Sequence, residues 1–82
     1  MSETSVAGAI RNPELLGIYC NDHLAAATGG IELVSRMLGE HRGTAHEPRL
    51  EELLDELREE RAGLRSSMAA LGLPVRQYKQ VA

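Results

Sequence analysis

The chain has 82 residues, of which 43% are hydrophobic, yet it contains no Trp or Phe and only two tyrosines, so leucine, alanine and methionine must pack its core and helices are favoured over a sheet. A domain of this size has a marginal core by itself, and self-association is the expectation. The net charge of −3 argues against non-specific nucleic-acid binding, the lone Cys20 excludes an intrachain disulfide, and no uncharged stretch approaches the ~20 residues of a membrane span.

Residues 1–11 are small, polar and aperiodic, as in a disordered arm. Nothing in them reads as a secretory segment, which points to a cytoplasmic protein. Asn12-Pro13-Glu14 then forms a strong helix start. Asn12 can cap, Pro13 suits the first turn, and Glu14 meets the positive end of the helix dipole. Apolar positions follow at Leu16, Cys20, Ala27, Val34, Met37 and Leu38, with Leu15, Tyr19, Leu24, Ile31 and Leu33 beside them. Their spacing predicts one long helix over about 13–41. His41 to Glu47 reads as a short connection in which Gly43 takes the left-handed conformation. Thr44 and Glu47 offer a capping box that competes with a start at Pro48.

The second stripe is Leu50, Leu53, Leu54, Leu57, Leu64, Met68 and Leu71, predicting a helix over about 48–71 that stops at Gly72 before Pro74. Glu47 to Glu60 carries seven acids and two arginines, whereas Arg61 to Ala82 carries four basic residues and no acid, an order that suits a helix dipole. The fold class is thus all-α: an antiparallel helical hairpin over 12–72, completing a four-helix bundle by dimerisation. Residues 73–82 read as a C-terminal tail or the start of a third helix, with Val75, Tyr78 and Val81 along one side.

Several polar groups fall inside or beside these stripes. Projected at about 100° per residue, His23 lands on the line through Leu16, Cys20, Ala27 and Val34, with Asp22 at its edge. In the second helix Arg61 is central and Glu60 marginal. Antiparallel pairing sets level those residues whose numbers sum to roughly 89, which puts Arg61 against Thr28 and Gly29-Gly30, and His23 against Ser66 and Ser67. The reading given most weight is a structural polar plug of Asp22, His23, Glu60 and Arg61 that fixes helix register. Its rivals are a carboxylate–histidine metal site using Asp22, His23 and Glu60 with iron, manganese or zinc, and plain exposure of His23. Against the metal, no Glu-x-x-His motif is present and Arg61 would repel a cation. Ala26, Gly29 and Gly30 suggest close packing against another helix. No phosphate loop, zinc-type cysteine spacing or nucleophile–base pair stands out.

Through Leu15-Leu16-Gly17-Ile18-Tyr19, Asn21-Asp22-His23-Leu24-Ala25, His41-Arg42-Gly43-Thr44, Arg61-Ala62-Gly63-Leu64 and Tyr78-Lys79, most of residues 15–80 resembles a family of uncharacterised bacterial proteins of ferritin-like, helical-bundle character. The resemblance implies members about twice this length, this chain being a shortened member or the N-terminal half, with a second copy supplying the missing helices. It carries over no activity and no ligand set. The function expected is that of a non-catalytic, self-associating bundle protein without cofactor, forming a homodimer or higher homo-oligomer and binding neither nucleic acid nor membrane. The alternative is a ferritin-like metal-binding or redox protein; a helix-turn-helix DNA binder ranks third.

Overall fold

The computed structural model of the chain describes residues 12–76. The expectations for an arm at 1–11 and for Tyr78 and Val81 lie outside that range. The described chain is helical, with α1 at Pro13–Glu40 and α2 at Glu47–Ala70, and no strand among the described residues. Both helices match their predicted bounds to within one residue, and they pack against each other as an antiparallel hairpin.

The local causes of α1 are the expected ones. The Asn12 side chain accepts the N–H groups of Glu14 and Leu15 at 3.0 and 3.3 Å, and Pro13 occupies the first turn. At the other end His41 N–H donates to the carbonyls of Met37 and Leu38, and Gly43 has φ +79°, the left-handed turn predicted for it. The start of α2 differs from a simple Thr44–Glu47 box. The Thr44 hydroxyl accepts from His46 N–H and donates to the His41 carbonyl, while the Glu47 carboxylate accepts from Gly43 N–H at 2.8 Å. Glu47 also takes the Arg42 guanidinium at 3.0 Å, with Glu51 alongside at 3.4 Å. These two partners, the Gly43 amide first and Arg42 second, hold the Glu47 carboxyl below its usual range.

α2 ends in a Schellman motif. Leu73 N–H reaches the Met68 carbonyl at 2.8 Å, Gly72 N–H reaches that of Ala69 at 3.1 Å, and Gly72 has φ +71°. The motif turns the chain back so that Leu73 lies 4.0 Å from where a Gly17 Cβ would sit. Residues 73–76 are not helical, so the described part of the C-terminal segment is a short strap across the N-terminal half of α1.

The core is narrow. Its buried apolar residues are Leu24, Ile31, Val34 and Leu38 from α1, and Leu50, Leu54 and Met68 from α2. Leu53 and Leu57 pack at its edge. The predicted register holds: the Arg61 guanidinium donates to the Thr28 hydroxyl at 3.5 Å, and the Leu57 methyl lies 3.8 Å from the Cβ position of Gly30. No described helix is long and apolar enough to cross a membrane.

Candidate functional site: a buried amide and an uncovered helix face

The one buried polar residue among those described is Asn21, only 2% exposed. Its side chain makes three hydrogen bonds. Its amide nitrogen donates to the Gly17 carbonyl at 2.9 Å, one turn back, and to the Pro74 carbonyl at 3.0 Å. Its amide oxygen accepts from Arg76 N–H at 2.6 Å. The side chain thus acts toward the strap as a neighbouring peptide group would, pairing one carbonyl and one N–H of an extended segment. Gly17 keeps the approach open, since a Cβ there would meet only the Leu73 methyl at ordinary contact distance. Among the described residues no buried side-chain nitrogen or oxygen lacks a partner.

The predicted polar group is placed differently. Asp22, His23 and Glu60 are exposed within the chain, and Arg61 alone of the four is half-buried. Arg61 meets Thr28, as its level on the helix predicted. Sequence reasoning centred the buried face of α1 on Cys20, Ala27 and Val34, whereas the structure centres it on the bulkier Leu24, Ile31 and Leu38, seven residues apart. That shift leaves His23 about 80° from the centre and brings Asn21 under the strap. Cys20 is a half-buried free thiol.

The small-residue run is split in the same way. Gly30 lies at the α1–α2 contact, but Ala26 is exposed and a Cβ on Gly29 would meet nothing within 4 Å. Close packing against α2 therefore involves Gly30 and leaves Ala26 and Gly29 on a second side of the helix. That side carries a second apolar row. Tyr19, Ala26 and Leu33 are spaced by seven, Met37 follows by four, and Leu15 precedes by four. Tyr19 is 46% and Leu33 52% exposed, with Ile18 and Met37 uncovered beside them. The outer side of α2 has no matching row; it presents Glu51, Glu52, Asp55, Glu56 and Glu59 with Arg49 and Arg58.

Around the connection, the His41 and His46 rings meet edge-to-face with centroids 5.4 Å apart. Among the described residues no group of three or more His, Cys, Asp or Glu side chains is placed to hold a metal ion. The weak metal candidates Asp22, His23 and Glu60 do not converge into such a set. No family model matches the chain, nor does any curated protein or solved structure.

Proposed function

We propose that this chain is a non-catalytic, self-associating helical protein that pairs with a second copy through the outer side of α1. The observation that carries this reading is the row Tyr19, Ala26, Leu33 and Met37, which no other described residue covers. Single exposed apolar residues mean little. A row at spacings of seven and four has the period of a helix-pairing seam. Among the described residues, seven buried apolar side chains also make a thin core for two helices of 28 and 24 residues, and a second copy would add burial. Two hairpins joined in this way bring four helices into one assembly, with the second copy supplying the further helices that the resemblance implies.

Sedimentation equilibrium tests the reading. At micromolar concentration the mass is expected to be twice 8.9 kDa. Leu33→Glu, which touches an exposed residue, should weaken association by about 30-fold or more. A wild-type chain that stays fully helical at 8.9 kDa throughout the micromolar range contradicts it.

A further inference from the structure

We infer that the two copies meet through α1 alone, antiparallel, across a twofold axis at Ala26; the inference rests on the self-association proposed above. In such a pair the residue numbers set level across the axis sum to about 52. The uncovered row is symmetric about that point. Tyr19 and Leu33 stand seven residues on either side of Ala26, and Leu15 and Met37 stand eleven on either side. Each large side chain therefore meets a large one, and the smallest meets its own copy at the centre, where the two backbones come closest.

The polar positions fit the same axis. An axis of this kind preserves the flank on which a residue sits. Asp22 shares a flank with Gly29, within one residue of a common level across the axis. Asp22 thus comes over bare backbone of the partner at Gly29 rather than against a side chain. This gives Gly29, which costs about 1 kcal/mol in an isolated helix, a packing reason, as contact with Leu57 of α2 does for Gly30. The open space around Gly29 is where the partner would enter.

Charge points the same way. Glu14 and Arg36 are exposed on one flank, twelve residues before and ten after Ala26. Antiparallel pairing sets Arg36 of each copy near the partner's Glu14, twice over, within about 3 Å of the same level. Parallel pairing would instead leave Glu14 and Arg36 of the two copies about 33 Å apart along the axis, and this charge pairing would be lost.

Single cysteines placed on the row in a Cys20→Ala background read out the geometry by oxidation, with circular dichroism checking that each variant stays helical. Ala26→Cys should cross-link to itself, because a residue on the axis meets the Cα separation a disulfide needs. Leu15→Cys and Met37→Cys should not cross-link alone but should do so when mixed. Gly29→Ala should weaken association about tenfold or more although it favours the helix, while Gly63→Ala on the outer side of α2 should leave it unchanged. Cross-linking of all three cysteines with themselves shows parallel pairing and overturns the inference. So does a dimer in which none cross-links, and either result leaves self-association standing. A monomeric wild-type chain removes both together.

Discussion

Asn21 uses its side chain to hold main chain 53 residues away in sequence. Its neighbours Asp22 and His23 drew more attention in the sequence because they ionise, but a neutral amide suits this task better. A carboxylate or an ammonium has only one kind of hydrogen-bonding group, whereas the strap offers both a carbonyl and an N–H. Asn21→Ala leaves the Pro74 carbonyl and Arg76 N–H without this partner and should cost about 1–3 kcal/mol in urea unfolding. Amide exchange at Arg76 should accelerate with it. Asn21→Asp should behave similarly at neutral pH, since it keeps an acceptor for Arg76 N–H but turns a carboxylate oxygen toward two carbonyls. Unchanged exchange at Arg76 in Asn21→Ala would show that the amide does not hold the strap. The residue was legible only as a polar member of the helix. Its partner segment lies beyond Gly72 and Pro74, where helical periodicity carries no information about where the chain turns.

The two helices were the most legible elements because several local signals agreed at each end. Asn12 with Pro13, and Gly72 with Pro74, satisfy or release the terminal backbone groups wherever the rest of the chain lies. The connection was less legible, because a Thr44–Glu47 capping box competed with a helix start at Pro48. In the structure Glu47 takes Gly43 N–H and Arg42. The pH dependence follows from its depressed pKa. A carboxyl lowered in the folded chain contributes stability that is present above its unfolded value and lost as the pH falls through the folded one. Glu47→Gln should therefore lower the thermal midpoint at pH 7, and the difference from wild type should shrink as the pH drops to about 4 and below. A difference that stays constant down to pH ~3 would mean that the carboxylate's charge does not hold the connection.

At the scale of the whole molecule, α1 is apolar on two sides and α2 on one. The hairpin was legible because each helix carries a stripe and a short connection makes them neighbours. Which stripe of α1 faces α2 was not. Cys20, Ala27 and Val34 border both apolar rows, and the choice between rows is made by bulk: Leu24, Ile31 and Leu38 fill the space against α2 better than His23 and Met37 would. The row left outside is the one on which we place the second copy, with Ala26 and Gly29 at the crossing and its large side chains at either end.

Nuclear Overhauser spectroscopy between the Tyr19 ring and the Leu33 methyl groups tests this account most directly. Fourteen residues of helix separate the two within one chain, about 21 Å, too far for a signal. Antiparallel pairing at Ala26 predicts a clear cross-peak that weakens on dilution. A spectrum of the helical protein at high concentration in which Tyr19 and Leu33 each contact only residues of their own turn would contradict it.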